Sequence, residues 1–317
     1  MKDSERIEDC LELVGTRDRV CMASIIAFIT RNWQIYSPSE LPKEPNALKF
    51  GILGAAKIAP SALIKPAKTH PEVIIQAVAA RNKQKAIDYA KKHGIPQVHD
   101  SYEGTFFPHF PSEPTWQFFL SLIDRPNLER AVSVAKLPSY IISKNSIQFK
   151  YELGGGNMLD LGTYVMGVLR DVMGAEPEEC TKCTVRRSPP PNELCDEAAD
   201  ATFRFPGDLI GEAVMDMRAS VSTLPTFKVT VIHKARESKK IYTFKDAGID
   251  EPSELSWISY RHQLEQFVNR IRGREGSGLW VRNEDSLAQA KMIDMAYEKS
   301  GLPLRPTSKF VRLEAST

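Results

Sequence analysis

Leu48-Lys49-Phe50-Gly51-Ile52-Leu53-Gly54-Ala55-Ala56-Lys57-Ile58-Ala59-Pro60 decides the fold. Its first six residues are a short apolar strand, Gly54–Ala59 is a turn, and Pro60–Thr69 continues at helical spacing that Pro66 should kink or shorten. Val73–Ala80 reads as a buried, β-branched strand, Lys83–His93 as a helix stopped by Gly94, and Gln97–His99 as a last short strand. Strands alternating with helices predict a parallel sheet, so the stretch is one half of a doubly wound α/β unit.

The turn can be weighed on its chemistry. A dinucleotide-binding turn needs one glycine for the tight bend, a second small residue so that backbone N–H groups approach the pyrophosphate, and a third for helix–strand contact. Gly54, Ala56 and Ala59 hold those places, a degenerate version, because the Ala56 methyl stands where phosphate should come close. With a strand before it and a helix after it, the turn can seat an anion on the helix N-terminus, and Gly54, Ala55, Ala56, Lys57 and Ile58 are the candidate cofactor-binding residues. An ordinary βα turn is the plain alternative. At the end of the second strand, where NAD sites place an acid for the ribose 2′-hydroxyl, the chain has Ala80-Arg81-Asn82. A guanidinium there suits a 2′-phosphate, hence NADP; otherwise Arg81 is a solvated strand end.

Composition removes other classes. Forty-two basic residues face 40 acidic ones with a net charge of +2 and no basic block, which leaves no footprint for nucleic acid. The five cysteines are few, odd in number and unevenly spaced, so they describe no disulfide framework and point to a reducing, cytoplasmic compartment. No run approaches the ~18 apolar residues of a membrane helix. Cys180-Thr181-Lys182-Cys183 has the spacing of half a zinc site, but no second pair follows and a regular strand would turn the two thiols to opposite faces, so no metal is expected.

Residues 1–46 read as a polar extension ending in the extended linker Ser37–Pro45, residues 47–113 as a truncated dinucleotide-binding domain, and residues 114–317 as a substrate and dimerisation domain. In the last, Ala131–Lys136, Glu179–Val185, Ala199–Phe205, Leu209–Met217 and Lys228–His233 alternate as strands of a large, open, mostly antiparallel sheet. Helices at Asp160–Met173, Tyr260–Arg272 and Asn283–Ser300 are expected to pack on it.

Within this domain runs Tyr151-Glu152-Leu153-Gly154-Gly155-Gly156-Asn157-Met158-Leu159-Asp160-Leu161-Gly162-Thr163-Tyr164. Three glycines let backbone approach a ligand closely, and Asp160 and Tyr164, four apart, share a helix face, so a carboxylate stands beside a phenol. That pair can hold a sugar hydroxyl and transfer its proton. The alternative is structural: Asp160 caps the helix, Tyr164 fills the core and the glycines form a loop.

Taken in order, Leu48–Pro60, the Ala80-Arg81 strand end, Glu152–Gly156 with Asp160-x-Gly162-x-Tyr164, and Tyr260-Arg261-His262-Gln263-Leu264-Glu265-x-Phe267 resemble the glucose–fructose oxidoreductase and inositol dehydrogenase family. The branch they look most like holds NADP-dependent D-xylose 1-dehydrogenases and dihydrodiol dehydrogenases, in forms common among fungi. The resemblance implies an oxidoreductase with an N-terminal dinucleotide domain and a C-terminal α/β domain whose sheet mediates dimerisation. It implies Tyr164 as the general acid/base and Asp160 as the residue that holds the sugar. A phenol of pKa near 10 is a poor base at neutral pH, and the family lowers it with the lysine of a Glu-Lys-Pro motif.

No Glu-Lys-Pro occurs in this chain, and only twelve residues separate Glu103 from Trp116, where the family places its remaining strands. With about 30 residues per βαβ unit, the missing half-domain amounts to roughly 60–70 residues. Two function classes follow: a dehydrogenase of aldoses or dihydrodiols, and an inactive remnant that binds a partner or sugar without turnover.

Overall fold

Leu48–Leu53 forms the first strand, β1, and pairs in parallel with β2 (Val73–Ala79), which pairs in parallel with β3 (Gln97–His99). The computed structural model describes residues 29–35, 37–80, 82–99, 114–234, 248, 257–277 and 280–306. Chain contacts divide it into two compact units, Met1–Phe118 with Ile241–Trp280 and Phe119–Lys240 with Val281–Thr317.

In the first unit β1 and β2 are bridged by a π-wound turn over Pro60–Ile64 that runs into the short helix α1, Lys65–Lys68. Pro66 explains the widening: it has no N–H for the carbonyl four residues back and its ring crowds that carbonyl, so the Lys65 N–H reaches Pro60 O, five residues back. The second crossover is α2 (Lys83–His93), started by Asn82, whose Oδ1 accepts the Lys85 N–H at 2.9 Å, and ended by Gly94 at φ 68°. One buried cluster joins Ile52, Ile64, Val78, Ala90 and Ile95.

The stretch read as a linker is docked on this unit. Lys43 Nζ donates to the carbonyls of Ala67, Lys68 and His70 at 2.7, 3.2 and 3.1 Å, so one ammonium covers the open carbonyls at the end of α1. The Leu41 N–H adds a bond to Lys68 O and the Glu44 N–H one to Pro71 O, both 3.0 Å.

The chain leaves through α3 (Pro114–Ser121) and enters the second unit at β4 (Leu128–Pro138). Helix α4 (Leu161–Met173) and strands β5 (Glu179–Arg187), β6 (Asp196–Phe205), β7 (Leu209–Ala219) and β8 (Thr226–His233) follow. The sheet order is β5-β6-β7-β4-β8; only the β4–β7 pair is parallel, which makes the sheet mostly antiparallel as expected. Alternation sorts its faces. Ala131, Ala135, Ala199, Ala201, Ala213 and Gly211 keep the inner face low, and α4 lays Val165, Met166, Leu169 and Val172 against β4 and β7. The other face carries ion pairs such as Arg186–Asp216 at 2.7 Å and Arg130–Glu212.

The two cysteines expected on opposite faces of β5 share one. A bulge between Cys180 and Lys182 shifts the register so that Cys180 pairs with Phe203 and Cys183 with Ala201, both inner-face positions. Burial pushes both thiols up, to about 11 and about 12, so they stay protonated at neutral pH. Among the described residues no group of three or more His, Cys, Asp or Glu is arranged to hold a metal, and no helix is long and apolar enough to cross a membrane.

A further correction concerns α5 (Ser259–Ile271), expected on the large sheet. It belongs to the first unit: Leu264 and Val268 are buried with Ala67 and Val73, and Phe267 meets Phe50 edge-on at 5.6 Å. Its apolar stripe was legible, but a stripe does not say which sheet it meets. Arg274 fastens the turn beyond α5 through a fork of two 2.6 Å bonds to Glu72. The last helix, α6 (Asn283–Ser300), returns to the second unit, packs on β5, and stops at Gly301, φ 72°.

Two buried histidines of the first unit make it acid-sensitive. His70 accepts the Glu72 N–H on Nδ1 at 3.2 Å and lies 3.4 Å from Glu265 through Nε2. Burial, then Arg261, lowers it from 6.5 to about 4 against the opposing pull of Glu265 and Glu72, with Lys43 adding a small push downward. His262, packed on Trp257, is lowered to about 4 by burial and Arg261, with Glu265 opposing. The folded state thus refuses protons that the unfolded chain accepts. Stability of the first unit should be full above pH 6.5 and fall progressively toward pH 4. Urea midpoints from pH 7.5 to 4.5, with His70→Gln and His262→Gln flattening the slope, would check this; a slope unchanged in the double variant would refute it.

Candidate active site

In the first unit the β1–α1 turn is open. Gly54 takes φ 97°, a conformation suited to glycine, and its N–H donates to Ala79 O at 2.7 Å. The turn is drawn in by the Ala56 N–H to Gly54 O at 2.8 Å and held by Tyr89 Oη donating to Ala56 O at 3.1 Å. Ala56, Lys57 and Ile58 are exposed. Among the described residues no backbone carbonyl accepts from the N–H groups of Ala55, Lys57 or Ile58. Such a donor set fits an anionic phosphate. Arg81 lies outside the described residues, and its neighbour Asn82 is engaged as the cap of α2.

In the second unit the glycine motif is a tightly built loop. Gly154 and Gly156 take φ 73° and 138°, which few other residues adopt. Gly155 is there for space, since a Cβ on it would lie 2.6 Å from Lys150 N and 2.7 Å from Lys150 O. A Cβ on Gly156 would strike the Arg305 guanidinium and come within 2.5 Å of Tyr297 Oη and 2.7 Å of Asp196 Oδ1. Asn157, fully buried, ties the loop to β7 by donating Nδ2 to Met215 O at 2.9 Å.

The loop delivers both predicted catalytic residues to the start of α4. Asp160 is the residue before the helix, and its side chain makes no capping bond, which removes the cap from the structural alternative while its glycine loop stands. It is half-buried; burial pushes its carboxyl up, and a hydrogen bond with Gln148 pulls it back. Tyr164 stands in the first turn, half-buried, beside the fully buried Val165 and Met166 that face the sheet. Thr163 Oγ1 donates to Leu159 O at 2.7 Å, and Gln289 Nε2 of α6 to Thr163 O at 3.2 Å, so the turn carrying Tyr164 is braced on both sides. A carboxyl and a phenol on a braced turn can bind a polyol and exchange a proton with it.

Sequence reasoning missed what lies beneath. Asp196 has no solvent exposure; its Oδ2 accepts the Met158 N–H at 2.7 Å and its Oδ1 accepts from Tyr297 Oη at 3.2 Å and Arg305 Nη2 at 3.3 Å. The only local signal was an acid opening a strand whose inner face is otherwise alanine and phenylalanine.

Residues 130–232, from β4 to β8, match the model of the GFO/IDH/MocA C-terminal domain family. No curated protein matches the chain in sequence. Among solved structures, a 3-ketoreductase variant from Actinomadura kijaniata with TDP-benzene and NADP is similar at a TM-score of 0.57 and 14% identity, covering 80% of this chain and 98% of that one. A protein from gentamicin A biosynthesis in complex with NAD gives 0.56 and 14%, over 84% and 99%. The scyllo-inositol dehydrogenase of Lactobacillus casei with NAD(H) and scyllo-inositol gives 0.55 and 13%, over 80% and 97%. At such identities the likeness is one of fold: a Rossmann-like N-terminal unit and an α/β C-terminal unit.

The glycine geometry separates two costs. Gly207 also has positive φ, 79°, yet a Cβ on it would meet nothing within 4 Å, so Gly207→Ala should cost only backbone strain, about 1–2 kcal/mol. Gly156→Ala should lose that and a further ~1–3 kcal/mol of overpacking. Urea denaturation of the two variants would show equal losses if the space under Gly156 could relax.

Proposed function

We propose that the protein is an NADP-dependent, nucleotide-binding oxidoreductase acting on an aldose C1 hydroxyl, D-xylose to xylonolactone, or on a dihydrodiol. The observation that carries the reading is Asp160 and Tyr164 at the braced head of α4, inside the segment that matches the GFO/IDH/MocA C-terminal domain. The partner is accordingly a small-molecule sugar or diol. NAD and NADP in the similar structures support a nicotinamide dinucleotide, and the open N–H groups of the Gly54–Ile58 turn suit its pyrophosphate. When bound, a nicotinamide dinucleotide would supply the acceptor for the hydride. The chain's own residues do the rest: Asp160 orients the sugar through its hydroxyls, and Tyr164 Oη removes the C1 hydroxyl proton. The charged outer sheet face of the second unit is the surface for a homodimer, and the free thiols suit the cytoplasm.

The second reading, an inactive binding or dimerisation module, has its own observation. Only 14 residues, 100–113, lie between β3 and α3, the first sheet stops at three strands among the described residues, and no Glu-Lys-Pro occurs in the chain. A cofactor crevice in an open α/β sheet forms where strand order reverses, and needs strands from both halves. On this reading an internal deletion has removed the second half together with the Glu-Lys-Pro lysine.

Three outcomes test these readings. Surviving cofactor affinity should favour NADP over NAD, and Arg81→Ala should erase the preference; equal titrations in the parent would remove Arg81 from the site. In a chain completed with the family's missing segment, Tyr164→Phe should lower kcat by about 10² to 10⁴ with cofactor binding nearly intact, whereas near-parental turnover returns Tyr164 to a packing role. D-xylose oxidation with NADP should be poor or absent in this chain and present in the completed one. Comparable kcat/KM in the two would show the deletion to be harmless.

A further inference from the structure

We infer that Asp196, Tyr297 and Arg305 are positioning residues that hold the glycine loop, and through it the turn presenting Asp160 and Tyr164, in one conformation. The inference rests on the reading of Tyr164 as acid/base.

The N–H groups of Gly154, Gly155 and Gly156 donate to the carbonyls of Tyr151, Lys150 and Gln148, and three further backbone groups of the loop are held by this cluster or by the strand that bears it. Arg305 Nε donates to Gly155 O at 2.5 Å. The Asn157 N–H donates to Asp196 O at 2.9 Å, and the Met158 N–H to Asp196 Oδ2 at 2.7 Å. The guanidinium then closes the cluster on itself, with Nη2 2.8 Å from Tyr297 Oη and its plane over the Tyr297 and Tyr151 rings at 4.2 and 5.1 Å. A forked donor is needed: one branch takes the loop carbonyl and another the carboxylate–phenol pair, which a lysine ammonium on a single point cannot reproduce.

The absent side chain at Gly156 is the counterpart of this arrangement, because that volume is where the three polar heads meet. Burial drives the Asp196 carboxyl up, while the Met158 N–H and Arg305 favour its charged form. The two opposing effects leave it dependent on its partners. Removing the guanidinium therefore frees Gly155 O and unbalances Asp196 together, and the slack passes along Asn157–Asp160 into the first turn of α4. The cluster touches the loop backbone, and its effect is on geometry.

The test uses amide hydrogen exchange in the full chain and turnover in the completed chain. Arg305→Ala should speed exchange at Asn157 and Met158 by tenfold or more while β6 and β7 amides keep their protection. It should lower kcat for D-xylose by tenfold or more with KM for NADP within twofold. Added guanidinium should restore both, and Arg305→Lys should restore neither. Tyr297→Phe, which removes one hydroxyl and keeps the ring, should give smaller shifts in the same direction and decides the matter if Arg305→Ala does not fold. Unchanged exchange at Asn157 and Met158 in both variants would overturn the inference, as would restored exchange without restored kcat. If the completed chain oxidises neither D-xylose nor a dihydrodiol with NADP, the functional reading falls and the exchange arm alone decides whether the cluster holds the loop.

Discussion

Asp196 opens β6 with no access to water, and the second unit is arranged so that this carboxylate is never without partners. Moving an ion of that size out of water costs several kcal/mol even after relaxation, so an Asp196 facing only alanine and methionine would take up a proton or unfold the strand. It instead receives a backbone N–H, a phenol and a guanidinium. Those donors come from the loop before α4, from α6 and from the segment beyond it, so satisfying one carboxylate forces three distant stretches together. A hydrophobic residue of similar volume could hold the packing as well, but it would leave the Met158 N–H and Gly155 loop without a directional constraint. Directionality is what a buried polar group adds to a core already closed by Phe203, Phe205 and Tyr297.

The first unit meets the same demand differently. Its helix α1 is four residues long and preceded by a π-wound turn, too short to be stable alone, and its carbonyl end would be open without help. Lys43 supplies that help from outside the α/β pattern, and α5 supplies apolar cover from more than 180 residues further along the chain, next to the Glu72–Arg274 fork. Parallel strands are ordinarily buried on both faces. In this unit Lys49, Gly51 and Leu53 of β1 remain exposed, which is unusual for a strand paired in parallel.

Local patterns were legible where local physics decides. Gly94 and Gly301 stop their helices because positive φ is available to glycine, Pro66 disturbs its helix because it lacks an N–H, and alternation placed all five strands of the large sheet within a few residues of their observed ends. The glycine motif was also found, but its reason was not. The sequence does not show that Gly155 faces a backbone while Gly156 faces a cluster of charges, since Arg305 and Asp196 are 109 residues apart. The bulge that brings Cys180 and Cys183 to one face, the docking of Lys43 and the destination of α5 were hidden for the same reason. Each depends on a pairing across the chain, with no local signature.

Holding a tyrosine in place and making it a base are separate physical demands. The loop, Asn157 and Gln289 meet the first by bracing both ends of the turn on which Tyr164 stands. Only a nearby positive charge meets the second, because a phenol gives up its proton at neutral pH when the phenolate is favoured by several kcal/mol over its state in water. Arg305, the cation built into the motif, is already committed: its donors go to Gly155 O, Asp196, Tyr297 Oη and Pro303 O. A guanidinium so engaged serves the fold of the loop. The second unit therefore builds and braces the loop before α4 from its own residues.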